Sequence, residues 1–579
     1  MSKTPQFDKA IAEYFSKLEL DEKGGQWRTC RFSGERFYVR PEDIEFYKKM
    51  QVPLPTITPH ERIRRRIAQQ NAYHLFHATS TLTGKRIISM FPPGSPYKIY
   101  EHESFYGEQW DPFAFAFSCD PGKSFFEQYH QFQLNLPHPN LTIRGKIVNS
   151  DYNNSSRDLK NCYLILDSVG VEDSAYGMGF FQTRECMEGF TLFNCSQSYD
   201  CLEGTNLYRC RYADFAVECI DCAFLYDCRD CESCFCSVNL RHKKYCFMNE
   251  QLSKEGYRDK MKSINLGNRD EVAKWKGELE KLKAKAIYKE NHNDRSINSF
   301  GDFIKDCKNC YGCFYMIGCE NVAYSIGGLT VRDSMDLEGG MDTQFCYESF
   351  GGNKNFSLKF CFWNQSSREL EFCENCTNCI NCFACEGLKN KSFCIFNKQY
   401  TEQEYWVKID ELKTAMLKRG EYGEFFPPEY TQAPYNICMA NAFSGYDDIE
   451  TAKKYGYRVE DIPESSQDTI SASINAEDLP TDIRDVKDSI LQEVVLDTVN
   501  NKKFRFTNQE LQFYRRFNIP LPQIHPSVRL ENYRRKFGPV ILKFFERECM
   551  KCGKQIQSVY PTDDPKIVYC ERCYQQEIA

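Results

Sequence analysis

The chain has 579 residues, 41% apolar and 15% aromatic, and a formal net charge of −7 from 74 basic and 81 acidic side chains. That composition excludes an intrinsically disordered protein, and the length allows about three to five domains with sizeable cores. No apolar run reaches the ~18 residues of a membrane-spanning helix, so no membrane partner is expected.

Residues 1–26 read as a polar amphipathic helix (Ile11, Tyr14, Phe15, Leu18) rather than a basic-then-apolar leader, which predicts a cytoplasmic location. The 31 cysteines would then be mostly reduced. Charge is uneven: residues 27–106 carry 13 Lys/Arg against 7 Asp/Glu, and residues 493–579 carry 15 against 10. Basic ends around an acidic middle permit an anionic partner at the ends.

An outer duplication links those ends. Phe46-Tyr47 and Pro53-Leu54-Pro55 match Phe513-Tyr514 and Pro520-Leu521-Pro522. Each segment is followed by a CxxC…CxxC frame, in thiols at Cys549, Cys552, Cys570 and Cys573 and in other side chains at Ser80, Thr83, Glu101 and Ser104. Two CxxC turns at this spacing aim four thiolates at one ion and leave no open position, which predicts one structural zinc at the C-terminal set. A basic run recurs between the two units of each end: Arg62, Arg64, Arg65 and Arg66, then Arg529, Arg534, Arg535 and Lys536. With Tyr73, Phe76, Tyr533 and Phe537 beside them, these eight cations are candidate phosphate contacts for a nucleic acid.

The inner duplication has an offset of 148 residues. Asn161-Cys162-Tyr163 matches Asn309-Cys310-Tyr311, and Cys228, Cys231 and Cys234 match Cys376, Cys379 and Cys382. A nine-residue beat (Tyr199/Cys201, Tyr208/Cys210, Val217/Cys219, Tyr226/Cys228) predicts a solenoid whose coils hold two or three nine-residue sides. Strand alternation would point each aromatic inward with its cysteine. Cysteines exchange with other residues between the copies (Cys186 for Ser334, Cys195 for Thr343, Cys210 for Leu358), as packing positions would and cluster ligands would not. The dense runs at 228–236 and 373–385 are where a metal cluster competes best with that reading. Helical stretches after each copy are expected to cap the coil ends.

The expected fold is therefore mainly β: tandem β-solenoid-like Cys-repeat units with helical caps, flanked by small, mostly degenerate zinc-ribbon modules. Its domains are a helix (1–26), a degenerate ribbon pair and connector (27–140), solenoid copy one (141–250), a helical bridge (251–294), copy two (295–398), a cap and connector (399–459), an acidic linker (460–492) and the C-terminal ribbon pair (493–579).

The FY…PxP segments resemble the small "probable zinc-ribbon" family, which implies four ligand positions in each. Here those are Cys30, Ser33, Thr58 and Glu61 in one segment and Asp497, Asn500, His525 and Val528 in the other, so neither can complete a four-ligand site. The whole layout, through Trp110-Asp111-Pro112, Phe125-Phe126-Glu127-Gln128, Leu240-Arg241-His242-Lys243 and the terminal ribbon, resembles cysteine-repeat, zinc-ribbon proteins of candidate-phyla-radiation bacteria.

No Walker loop, GxGxxG, GxSxG or HExxH is present, and no catalytic residue is named. Two functions from different classes follow. The first is a non-enzymatic zinc-binding scaffold or adaptor that binds nucleic acid, ribosomal RNA included, or protein through its terminal modules, with homodimerisation through the duplicated ends. The second is an enzyme: a multi-cysteine metal-cluster or thiol redox protein, or a solenoid acting on polysaccharide.

Overall fold

A computed structural model describes residues 2–71, 73–446, 448–462, 471–537 and 543–578. The chain divides into two compact units, one combining Met1–Asn140 with Asn291–Asp461, the other combining Leu141–Glu290 with Ile462–Gly538 and Phe544–Ala579. Each unit thus pairs one solenoid copy with the ribbon modules farther away in sequence.

Both solenoids are parallel β-ladders. In one, Ala175, Met187, Tyr199, Arg211, Ala223 and Phe235 pair in succession. In the other, Met335, Tyr347, Lys359, Glu371, Phe383 and Ile395 do the same. Every step is 12 residues (187 − 175, 199 − 187), so a coil holds 12 residues rather than the 18 or 27 expected. The cause lies in the backbone: every third residue is left-handed, as at Asp200 (φ 51°), Glu203 (56°), Asn206 (54°) and Arg209 (55°). Each such residue turns a corner, giving four sides of three residues.

A corner at every third position also replaces the two-residue alternation of an ordinary strand. Cys201, Leu207, Cys210, Ala213, Ala216 and Cys219 share the interior, whereas Tyr199 packs in a separate core with Tyr212, Phe513 and Tyr514. The aromatic of each beat therefore faces outward, correcting the expectation that it follows its cysteine inside. The nine-residue beat is three sides of a four-sided coil.

Three-residue sides leave a narrow interior, which explains its small side chains. Cys210 Sγ lies 3.6 Å from the Tyr208 carbonyl and 3.2 Å from that of Cys219, three sides further along the coil. Phe180 fits only because Gly177 faces it; a Cβ there would meet its ring at 2.2 Å. Outside, corner amides stack in ladders: Asn298 donates to Asn309 (2.9 Å), Asn309 to Asn321 (3.0 Å) and Asn321 to Asp333 (2.9 Å). Each copy ends in a short antiparallel return, Cys246–Phe247 with Glu250–Gln251 and Ser392–Ile395 with Lys398–Gln399.

The helices cover a flank as well as an end. Trp275 of the Arg269–Lys283 helix meets Phe235 edge-on at 4.8 Å and Phe247 at 5.5 Å. In the other unit the Phe125–Asn135 helix sets Phe125 against Phe372 (4.7 Å) and Phe132 against Phe396 (5.2 Å). The expected acidic linker is in part packed chain: Ala476, Leu479, Ile483, Val486 and Ile490 are buried in the core with Leu511 and Tyr514. Its residues 463–470 lie outside the described residues.

A charged triad fastens the Glu402–Arg419 helix to its solenoid. Glu371 Oε1 lies 2.9 Å from Lys359 and 2.8 Å from Lys413, and Tyr422 donates to its other oxygen at 2.8 Å. Burial alone would raise the Glu371 pKa, but the two ammonium groups outweigh it and bring it from 4.5 to about 2. Between those values the unfolded chain binds a proton that the folded chain does not, so this stability is complete above about pH 4.5 and drains as pH falls toward 2. Glu371→Gln is expected to cost about 3 kcal/mol at neutral pH and to flatten the acid limb of a urea-midpoint-against-pH curve; an unchanged limb refutes the assignment.

Candidate metal centre and its three metal-free counterparts

The Phe545–Glu548 and Gln555–Ser558 strands pair antiparallel, and the turn between them carries Cys549 and Cys552. The Cys549 amide donates to the Lys554 carbonyl (2.9 Å) and the Gly553 amide to that of Cys549 (2.9 Å), with Gly553 left-handed at φ 71°. Met550 donates to Val568 (3.0 Å), which ties this turn to the Ile567–Tyr569 strand leading into Cys570 and the Glu571–Ile578 helix. That strand pairs with Ile287–Lys289.

The four sulfurs of Cys549, Cys552, Cys570 and Cys573 all lie within 4.8 Å of one another, and those of Cys552 and Cys570 are 3.9 Å apart. A tetrahedral ion with ~2.3 Å metal–sulfur bonds needs sulfurs about 3.8 Å apart. The group can therefore hold a metal ion. Cys549, Cys570 and Cys573 are buried and Cys552 is exposed. Burial works against a Cys549 thiolate, but the amides of Cys570, Cys552 and Lys551 aimed at its sulfur outweigh it and bring its pKa to about 6.

The same local fold recurs without the four-thiol set. At the first ribbon frame the Ser80 amide donates to Lys85 (2.9 Å), Gly84 to Ser80 (3.0 Å) and Thr81 to Ile99 (2.8 Å), matching the bonds at Cys549 one for one. Where the ion would sit, the Glu101 carboxylate accepts from the hydroxyls of Ser80 (2.5 Å) and Thr83. At the first FY segment, Cys30 donates to Glu35 (2.8 Å) and Gly34 to Cys30 (2.9 Å), while Thr58 accepts from the Glu61 amide (3.2 Å). At the second, Asp497 accepts from the Asn500 side chain (2.8 Å) and the His525 amide (2.9 Å). At the first ribbon frame and the second FY segment, side-chain hydrogen bonds join the two halves of the frame where a metal would cross-link them.

Most of the candidate phosphate-binding arginines are placed differently from the expectation. Arg62, Arg65, Arg66 and Arg529 are buried. Arg62 donates to Asp336 (2.9 Å), and Arg66 to Asp336 (3.3 Å) and Glu348 (3.1 Å). Arg65 pairs with Glu424 at 3.1 Å. Arg64 bonds the Ser444 carbonyl at 2.6 Å and lies over Tyr446. Arg529 pairs with Glu188 and lies 4.8 Å over Tyr176, as Arg62 lies 5.2 Å over Tyr324. A guanidinium already desolvated on a carboxylate is not offered to a phosphate: Arg62, Arg66 and Arg529 dock the FY modules on the solenoid instead, and Arg64 and Arg65 hold the connector that follows the cap helix. Arg534 and Arg535 both pair with Glu531, and Lys536 pairs with Asp214 at 2.6 Å. Tyr533 is buried on Asp200 (2.7 Å) rather than open for stacking.

Sequence reasoning missed the acids on the receiving side. Glu188 and Asp336, and Asp200 and Glu348, are related by the 148-residue offset, and acids kept at matching places in both copies were the available signal.

The solenoid thiols serve packing. All are free, and among the described residues none gathers in a three-ligand group. In the dense run, Cys373 Sγ lies 3.4 Å from the Glu371 and Cys382 carbonyls, and Cys376 Sγ 3.4 Å from that of Glu374. Burial pushes the Cys186, Cys201, Cys228 and Cys376 thiols well above their ordinary range, whereas hydrogen bonds from neighbouring thiols pull Cys307 and Cys379 down. Cys236, counted with the other dense run, belongs to the outer core and not to the interior of Cys228, Cys231 and Cys234.

Compared with known proteins, the chain matches no family model, no curated protein and no solved structure.

Two outcomes are expected. Arg62→Ala removes one of the two guanidinium partners of buried Asp336 and should destabilise its unit by about 3 kcal/mol in denaturant unfolding; a change under 1 kcal/mol would mean the pair carries little. Replacing Ser80, Thr83, Glu101 and Ser104 together by cysteine should create a second thiolate site, doubling the sulfur-to-metal absorption of the Co²⁺-loaded chain. Unchanged absorption in a folded variant contradicts the retained frame.

Proposed function

We propose that this protein is a non-enzymatic scaffold, stapled by one structural zinc at Cys549, Cys552, Cys570 and Cys573, that docks a protein partner through its ribbon turns. The observation that carries this reading is where exposed apolar surface sits. Leu82 (37%), Val499 (89%) and Met550 (57%) each lie between the ligand positions of a ribbon frame, at the tip of its turn. Such tips are surfaces without a role inside their own module. The four-thiol set suits zinc, and with four protein ligands it leaves no coordination position for a substrate.

The burial of Arg62, Arg65, Arg66 and Arg529 argues for a protein partner over nucleic acid. Thiols buried in the coil interior and packed on backbone carbonyls argue against a thiol redox enzyme, because a redox nucleophile has to be reached by its substrate. The purified chain should contain one thiolate-bound zinc and no acid-labile sulfide; sulfide would restore the cluster enzyme. A photo-crosslinking residue at Val499 or Met550, in the full chain expressed in its cell of origin, should join one recurrent protein. Crosslinks to RNA, to a second copy of the chain only, or to nothing would each displace this reading.

A further inference from the structure

We infer that His138, Glu374 and Glu386 form a buried site for a divalent first-row transition ion. The three are 1%, 5% and 0% exposed, and one ligand atom from each lies within 4.8 Å of the others. His138 sits in the Pro137–Pro139 strand, and the two glutamates face each other on consecutive coils, in parallel register.

Two carboxylates side by side on adjacent strands repel, and burial strengthens the repulsion. The sister solenoid avoids this. Subtracting the 148-residue offset places Tyr226 and Val238 at these two positions, both buried. Apolar side chains therefore satisfy the fold here, and the acids answer some other demand.

Their surroundings show what is missing. Glu374 accepts from the side-chain amides of Gln133 (3.1 Å) and Gln432 (2.9 Å). Among the described residues, neither carboxylate oxygen of Glu386 has a hydrogen-bond partner. His138 Nε2 lies 3.0 Å from the Gln133 carbonyl, which can only accept, so Nε2 carries the proton and Nδ1 presents its lone pair. That lone pair is 3.3 Å from Glu386 Oε1. Tyr97 packs edge-on against the imidazole at 4.8 Å and fixes its direction.

A lone pair and two carboxylates converging in a buried space call for an electrophile. One imidazole nitrogen with carboxylate oxygens suits Mn²⁺, Fe²⁺ or Zn²⁺ rather than a soft ion. Gly387, next to Glu386, lines a cleft of about 470 Å³ with Trp110, Phe113 and Lys389.

The test uses the full chain with its thiolate site zinc-loaded. Elemental analysis should show a second metal, or Mn²⁺ titration followed by electron paramagnetic resonance should show one Mn²⁺ taken up. Glu386→Gln should weaken that uptake at least tenfold, and Cys552→Ser should leave it unchanged, which separates this site from the scaffold's zinc. Should Glu386→Gln fail to fold, Glu374→Gln and the Mn²⁺-induced rise in melting temperature of the unaltered chain give the answer. The inference is overturned by a folded chain with no second metal and no Mn²⁺ uptake, or by a metal count that Glu386→Gln and Glu374→Gln leave undiminished.

Discussion

Everything in the two solenoids follows from a left-handed residue at every third position. An L-residue in that region costs about 1–2 kcal/mol, so a run of them persists only where each turn is held on both sides. Neighbouring coils do this through their amides, as when Asp200 and its fellows alternate with ladder residues such as Tyr199, whose N–H bonds the Cys210 carbonyl at 3.0 Å. The corners set the side length, the side length sets the bore, and the bore is filled by Cys, Ser and Ala interspersed with single aliphatic side chains, with Phe180 admitted opposite Gly177. The coil is therefore saturated inside, and any larger hydrophobic core must form on an outer flank.

That flank is where the duplicated ends attach, and both attach by the same contacts. Tyr47 meets Tyr347 edge-on at 5.5 Å, and Tyr514 meets Tyr199 at 6.0 Å. Arg62 with Asp336 and Arg529 with Glu188 complete the two sets. A buried ion pair is weak evidence for net stability but strongly penalises any arrangement that separates its partners. On an even, repetitive ladder, where sliding by one coil would cost few apolar contacts, such a pair fixes which coil receives the module.

The solenoid class, the two duplications and the thiol set at 549–573 were legible because each is a spacing, and spacings survive in one sequence. Coil length was misread because nine and twelve share the factor three: Cys201, Cys210 and Cys219 recur every nine while the backbone repeats every twelve. Nothing local marks Asp200 or Arg209 as left-handed, since corners accept Asp, Arg, Tyr and Phe alike. Arg62-Ile63-Arg64-Arg65-Arg66 read as a basic surface because its counter-charges, Asp336, Glu348 and Glu424, lie hundreds of residues away. The exchange of Cys for Ser, Thr and Leu between copies did indicate packing, and the structure gives those thiols carbonyl acceptors.

A bore filled with sulfur has a bearing on how this chain must be made. Once the coils close, an oxygen atom added to Cys210 or Cys376 would have nowhere to go, and the same tightness keeps oxidants out. Before closure every one of those thiols is open to water. The vulnerable interval is synthesis itself, so a reducing milieu matters to the nascent polypeptide far more than to the finished one.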